Sequence, residues 1–244
     1  GTADGAVDWN QGLEYYTAAR KAGKNVIFLS YPNEPHHLAI KANQKDFQVR
    51  MKQYFDHYLK GGPMMEWMNN DLPQTRKDDV KQEVGAEPKP RVHQPAIKFE
   101  PNRPMISNSL VNAWVPRGFA VVHSEAPGTG LSQGCVTVGG APEELAPKAV
   151  IDWLNGRAKG YKTIDGTDEV RATSWSTGKV GMTGTSYNGT IPVAAATTGV
   201  AGLEAIIPVA PNTSYYHYYR TNGLVRHPGG WLGEDIDFLY AYIA

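Results

Sequence analysis

A serine flanked by glycines offers the clearest chemistry in the sequence. Ser186 lies in the run GTSYNG at 184–189, after a short apolar stretch at 178–184 and before small residues at 190–198. A serine hydroxyl becomes a useful nucleophile when a base removes its proton and a sharp strand–turn–helix elbow presents it, which flanking glycines permit. The spacing therefore predicts that Ser186 is a nucleophile and that the backbone N–H of Tyr187 is an oxyanion donor.

The match to the usual elbow pattern is not perfect. The position two residues after the serine, where glycine is common, holds Asn188, and Gly189 follows it. Asparagine tolerates unusual backbone angles, so the pattern survives this change. An ordinary glycine-rich turn is the alternative, but the apolar strand before the serine and the second strand predicted at 203–209 favour the elbow.

Such a serine needs an imidazole base and a carboxylate that orients it. Two of the seven histidines, His36 and His37, come after the β-rich run 25–31 and before a helical pattern. They would lie at a sheet edge, where α/β enzymes gather their reactive groups. The remaining histidines fall in a helix, a linker, a strand end or an aromatic tail: His57, His93, His123, His217 and His227.

Hydrophobic periodicity and breakers predict the elements that would position these groups. Helices are expected at 11–23, ending on Gly23; at 43–60, capped by Asn43 and ended by the glycines at 61–62; and at 107–116, 143–155 and 190–198. Strands are expected at 25–31, 119–123, 178–184 and 203–209. Strands that alternate with helices indicate an α/β fold with a mostly parallel sheet flanked by helices.

Composition excludes several classes of function. Lysine plus arginine and aspartate plus glutamate each number 24, so no basic field for nucleic acid or an anionic membrane is expected. Cys135 is the only cysteine, and no apolar run reaches the length of a membrane span. We expect a soluble protein with no metal and no cofactor, whose compartment, cytoplasmic or secreted, stays open.

Four stretches carry a family resemblance. They are PRGFAVVHSEAPGTGLSQGC, AVIDWLNGRAKGY, GKVGMTGTSYNGT and GLEAIIPVAPNTSYYHYYR. From about Val111 to the C-terminus the chain resembles the X-prolyl dipeptidyl peptidases. The resemblance implies that Ser186 is the catalytic nucleophile and that the substrate is a peptide with proline second. Tyr215, Tyr216 and Tyr219 would then line the substrate site, with a core or lid role as the alternative.

Residues 1–68 resemble a second family, the C-terminal end of the prolyl oligopeptidase catalytic domain. The resemblance rests on GTADGAVDWNQGLEYYTAARKAGK, VIFLSYPNEPHHL and DFQVRMKQYFDHYLKG. It implies that Asp4 is the acid of a catalytic triad and His36 its base, while His37 stands where glycine is usual.

The two resemblances predict three segments: an acid-and-base part at 1–68, a charged linker at 69–104, and a nucleophile-bearing part with the start of a cap at 105–244. The order Asp4, His36, Ser186 is found in neither family, so the implied α/β-hydrolase-like fold is expected to be incomplete or reordered. An esterase or acylase of the same fold stays open as an alternative. So does a non-catalytic fragment whose sheet is completed by another segment or by a homo-oligomer.

Overall fold

The computed structural model describes residues 1–69, 108–135, 137, 139–221 and 224–225, which form an α/β structure of helices and small sheets. The α-helices are α1 (Trp9–Lys21), α2 (Lys41–Lys60), α3 (Glu66–Asn69), α4 (Asn108–Trp114), α5 (Ala141–Leu154), α6 (Tyr187–Thr197) and α7 (Tyr215–Tyr219). The strands are β1 (Gly160–Tyr161), β2 (Glu169–Val170), β3 (Val180–Thr185), β4 (Leu203–Val209), β5 (Arg220–Thr221) and β6 (Leu224–Val225). Short 3₁₀ turns lie at Val115–Arg117 and Ala172–Ser174.

The central feature is the unit β3–α6–β4. The two strands are parallel, with the register running from Val180 opposite Leu203 to Thr185 opposite Val209. Parallel neighbours need a crossover connection, which α6 supplies. Strands β1 and β2, and strands β5 and β6, form separate antiparallel pairs.

Helices cover both faces of this sheet because side chains alternate along a strand. On one face, Val180 and Met182 of β3 pack against the buried Ile151 of α5 and Ala195 of α6. On the other face, Gly181 leaves room for α2: a Cβ there would lie 2.7 Å from the Phe55 ring. The result is a three-layer arrangement of helix, sheet and helix.

The second face holds a hydrophobic core to which both the N-terminal and the C-terminal parts of the chain contribute. Phe55 and Met51 of α2 are buried with Trp114 of α4 and Ala205 of β4. The Phe55 and Trp114 rings meet edge-on, 5.6 Å apart. Residues from the predicted acid-and-base segment and from the predicted nucleophile-bearing segment therefore share one hydrophobic cluster.

Helix ends follow the predicted signals in part. Helix α1 is followed by Gly23 with φ 70°, and α2 by Gly61 with φ 71°, the left-handed angle that glycine adopts without strain. Asn43, however, does not cap α2. The helix begins at Lys41, and the Asn43 amide donates instead to Glu34 Oε1 at 2.5 Å.

Two strand predictions were wrong. Residues 25–31 and 119–123 belong to no β-ladder in the described part of the chain. Their apolar side chains do pack: Phe28 stacks with Tyr16 at 5.5 Å, and Phe119 meets Trp114 at 5.3 Å. A β-rich run becomes a strand only when a neighbouring backbone accepts its N–H groups, and propensity does not report that partner. The strands at 180–185 and 203–209 are confirmed.

Some predictions lie outside the described residues. These are the linker interior at 70–104 and the two histidines His93 and His227. Among the helices that the structure describes, none is both long and apolar enough to cross a membrane.

Candidate active site

Ser186 occupies a strained turn between β3 and α6. Its φ is 64° and its ψ is −128°, angles that a residue with a side chain rarely adopts. Backbone hydrogen bonds hold it there: its N–H donates to Val209 O at 2.9 Å, and its carbonyl accepts the N–H groups of Gly189 and Thr190 at 2.8 and 3.0 Å. A strained residue held by surrounding structure is typical of a reactive position.

The two glycines of the run at 184–189 lie where neighbouring backbone atoms leave no room for a side chain. A Cβ on Gly184 would lie 2.2 Å from Asn188 O, and one on Gly189 would lie 2.6 Å from Val209 O. Both contacts are with backbone atoms, so neither position accepts a larger residue without a shift. Asn188 lies within α6 and is exposed, which explains why glycine is not required there.

Asp4 and His36 form a close pair. His36 Nδ1 lies 3.0 and 2.9 Å from the two carboxyl oxygens of Asp4, and only 13% and 2% of the two side chains is exposed. Oδ1 of Asp4 also accepts the N–H groups of Ala6 and Val7, each at 2.9 Å. The sequence places the two residues 32 positions apart, and the fold brings their side chains into contact.

The electrostatics of this pair suit a base and its orienting acid. Burial alone would raise the pKa of Asp4, but hydrogen bonds from His36 and from the Val7 and Ala6 N–H groups hold it below its ordinary value of 3.8. Because an ionised carboxylate only accepts hydrogen bonds, His36 Nδ1 must carry the proton. In the neutral imidazole, Nε2 then carries no proton and is able to accept one.

Backbone contacts tie the loop of Asp4 to the loop of His36. The N–H of Thr2 donates to Tyr31 O, and that of Ala3 to Glu34 O, each at 3.1 Å. The Thr2 hydroxyl in turn accepts the N–H of Asn33 at 2.8 Å. The acid and the base are therefore carried on one cross-linked pair of loops.

Glu34 anchors these loops to α2. Its side chain is 1% exposed and accepts the N–H groups of Ala39 and Ile40, the two residues just before the helix, at 2.6 and 3.2 Å. The hydrogen bond from the Asn43 amide, together with these backbone N–H groups, outweighs burial and holds the pKa of Glu34 below its ordinary value. An anion at a helix N-terminus is also favoured by the helix dipole.

A chain of contacts places α1 at the same sheet edge as Ser186. The Thr190 hydroxyl lies 3.3 Å from Ser186 O and 3.2 Å from Asn212 O. The next residue, Thr213, donates its N–H and its hydroxyl to Oε1 of the buried Gln11, at 3.2 and 2.8 Å. Gln11 lies in α1, the helix that follows the loop of Asp4, so this helix contacts the segment that leaves the carboxyl end of β4.

The described hydrogen bonds do not include one between the Ser186 hydroxyl and the His36 ring. In enzymes without substrate such bonds are often long and tighten only when the substrate binds. His37 is exposed, and its ring stands edge-on to that of His36 at 5.0 Å. The structure thus brings the acid and base together and presents the serine on a separate elbow.

The tyrosines differ in their surroundings. Tyr187 is the first residue of α6, so its N–H is one of those that a helix leaves without an internal acceptor. Tyr215 is half-buried, and its ring lies against Gly139, where a Cβ would be 2.6 Å away. Tyr216 is 56% exposed. The side chain of Tyr219 lies outside the described part of the structure.

Sequence reasoning missed two buried acids beside the site, Glu34 and Glu143. Glu143 is 4% exposed, and its carboxyl group accepts the Gly140 N–H at 2.6 Å and the Tyr187 hydroxyl. Part of its signal was available, because a glutamate three residues after a helix N-cap can accept the N-cap N–H, as Glu143 does from Gly140. In the described residues, no group of three or more histidine, cysteine, aspartate or glutamate side chains is placed to hold a metal ion.

Comparisons with known proteins point consistently to a single family. The family model for X-Pro dipeptidyl-peptidase (S15 family) matches residues 66–244. Residues 1–65 lie outside that match, so their resemblance to the prolyl oligopeptidase family stays a prediction.

Three relatives illustrate the similarity. "Putative Xaa-Pro dipeptidyl-peptidase" of Rhodopirellula baltica is 72% identical over 165 residues, which are 68% of this chain and 26% of the relative. A protein of the same name from Bacillus anthracis is 60% identical over 129 residues, 53% of this chain and 21% of the relative. Xaa-Pro dipeptidyl-peptidase of Ligilactobacillus salivarius is 43% identical over 187 residues, 69% of this chain and 22% of the relative. The chain thus spans about a quarter or less of the length of these proteins.

Proposed function

The chain belongs to the X-Pro dipeptidyl-peptidase family, S15, and we propose that it works as a serine peptidase that releases N-terminal Xaa-Pro dipeptides through an acyl-enzyme on Ser186. Two features support this reading. The relatives carry that activity in their names, and Ser186 has the left-handed backbone of an elbow that presents a nucleophile. The strained backbone of Ser186 is the structural observation that carries the assignment of the nucleophile, and the names of the relatives supply the substrate class.

In the proposed mechanism, Asp4, His36 and Ser186 act as a triad. Ser186 Oγ attacks the carbonyl carbon of the substrate proline while His36 Nε2 takes its proton. Asp4 holds the ring through Nδ1 and stabilises the imidazolium that forms. His36 then gives the proton to the leaving amine, which completes the acyl-enzyme. A water molecule, deprotonated by His36, releases the dipeptide and restores the serine.

The oxyanion of each tetrahedral intermediate would be bound by the Tyr187 N–H. This group heads α6, where the helix dipole also favours negative charge. Tyr215 and Tyr216, and with them Tyr219, are proposed to contact the substrate. The half-buried ring of Tyr215 supports this better than the exposed ring of Tyr216.

The proposed architecture is an α/β-hydrolase-like fold with a mostly parallel sheet flanked by helices. Residues 1–68 would supply the acid and the base, 69–104 the connection, and 105–244 the nucleophile. The order of the three groups along the chain is no obstacle, because unrelated serine peptidases assemble the same geometry in different orders. The shared core of α2, α4 and β4 supports one combined unit.

Turnover of a Gly-Pro anilide tests the peptidase directly. We expect the unaltered protein to release the anilide and Ser186→Ala to lose this activity. A short acyl ester, assayed in parallel, separates a peptidase from an esterase of the same fold. Equal anilide release by both proteins would exclude Ser186 as the nucleophile, and turnover of the ester alone would reject the peptidase.

A further inference from the structure

A buried carboxyl group is joined directly to the residue that follows the nucleophile. Glu143 lies in the first turn of α5 and is 4% exposed. One of its oxygens accepts the Tyr187 hydroxyl, and the other accepts the Gly140 N–H at 2.6 Å and the Thr137 hydroxyl at 3.1 Å. The carboxyl group thus accepts three hydrogen bonds from within the protein and is almost wholly covered from solvent.

The hydrogen bond between Tyr187 and Glu143 links helix α6, which follows the elbow, to helix α5. Helices α5 and α6 pack through Ile151 and Ala195, which are 2% and 0% exposed. The Tyr187 ring reaches from the first residue of α6 to the first turn of α5. A ring that is fixed at its far end limits rotation of its own backbone, including the peptide that joins Ser186 to Tyr187.

The chemistry of the tyrosine keeps it as a donor. Burial raises the pKa of Tyr187, and the hydrogen bond to Glu143 and the proximity of that carboxyl group raise it further. The phenol therefore stays protonated and points its hydrogen at the acid. The Tyr215 side chain, whose ring lies against Gly139, also raises the pKa of Tyr187 by its proximity.

We propose that Glu143 is a positioning residue that holds the Tyr187 ring, and through it the first N–H of α6, in the orientation that the oxyanion needs. This inference rests on the proposed function, because it assigns the Tyr187 N–H to the oxyanion hole. Glu143 touches no reacting atom and acts only through Tyr187. Loss of Glu143 should therefore lower the rate of the chemical step and leave substrate affinity unchanged.

The test is the rate at which a fluorophosphonate probe labels Ser186 at saturating and at limiting concentration. Misplacement of a catalytic group by about 1 Å costs up to about a hundredfold, so Glu143→Ala should lower the maximal labelling rate between about tenfold and a hundredfold. The concentration for half-maximal labelling should not change. Glu144→Ala is the matched control, since Glu144 is exposed in the same helical turn and should label like the unaltered protein.

A second variant keeps the test decisive if Glu143→Ala does not fold. Tyr187→Phe removes only the hydroxyl and retains the N–H, and it should slow labelling to a similar extent. Because the two groups act as one unit, the double variant should be no slower than the slower single variant. Losses that multiply in the double variant would overturn the proposal.

The outcomes also separate this inference from the proposed function. If the unaltered protein labels at Ser186 and both single variants label at the same rate when folded, Glu143 has only a structural role and the inference is wrong. If the unaltered protein does not label, or Ser186→Ala labels equally, the proposed function itself has failed.

Discussion

Replacing Phe55 with alanine removes one of the buried side chains that pack α2 against α4 and β4. Phe55 is 5% exposed, its ring meets Trp114 edge-on at 5.6 Å and 65°, and it fills the space above Gly181. Phenylalanine-to-alanine changes in cores cost about 3–5 kcal/mol because a cavity remains after the transfer energy is lost. We expect the free energy of unfolding to fall by about 4 kcal/mol, since aromatic pairs add to burial.

Urea unfolding measures this change, followed by circular dichroism for the helices and by tryptophan fluorescence, to which Trp114 contributes as one of six tryptophans. Leu145→Ala is the control, because Leu145 is 56% exposed and its loss should cost no more than about 0.5 kcal/mol. We expect both signals to report one shared transition that moves to lower urea in Phe55→Ala. A loss below about 1 kcal/mol, or separate transitions for the two signals, would refute the view that residues 1–68 and 108–221 share one core.

Two further predictions concern the site. The lowered pKa of Asp4 means that its pairing with His36 stabilises the fold above the ordinary aspartate value of 3.8 and stops doing so as acid protonates the carboxylate. Asp4→Asn should therefore cost about 2 kcal/mol at neutral pH and little in acid; a cost independent of pH in unfolding experiments would contradict this. Gly189→Ala should cost about 1–3 kcal/mol and slow probe labelling, because its Cβ would press on Val209 O. Gly5→Ala, where a Cβ meets nothing within 4 Å, is the control, and equal stability of both variants would contradict the prediction.

Local signals predicted the elbow and its strands well. The run at 178–184 and the strand at 203–209 are apolar enough to be buried on both faces, and the structure pairs them in parallel. Gly23 and Gly61 mark the ends of their helices because a left-handed residue is needed there. Such features depend on neighbours in the sequence, and so the sequence alone is sufficient to indicate them.

Contacts between distant residues were harder to predict. Residues 25–31 have the composition of a strand, but the ladder depends on a backbone partner elsewhere in the chain. Asn43 looked like a helix cap, but its amide donates to the buried Glu34, which also accepts the N–H groups of Ala39 and Ile40 just before α2. Glu143 looked like an ordinary helix-start glutamate, because nothing local shows that Tyr187 reaches it across 44 positions.

The Asp4–His36 pair shows both what the sequence can predict and what it cannot. Family resemblance named the two residues, and the fold brings Nδ1 to 2.9 Å from the carboxylate. Spacing alone did not choose His36 over His37, its neighbour. The difference lies in burial, since His36 is largely covered and His37 is exposed.

The central claim is that Ser186 is activated by His36, and the rate of fluorophosphonate labelling at Ser186 tests it most directly. We compare the unaltered protein with His36→Gln and with His37→Gln, the exposed neighbour. General bases contribute at least about a hundredfold to such reactions. The account predicts a loss of at least that size in His36→Gln and an unchanged rate in His37→Gln. Equal labelling of Ser186 in the unaltered protein and in His36→Gln would contradict it.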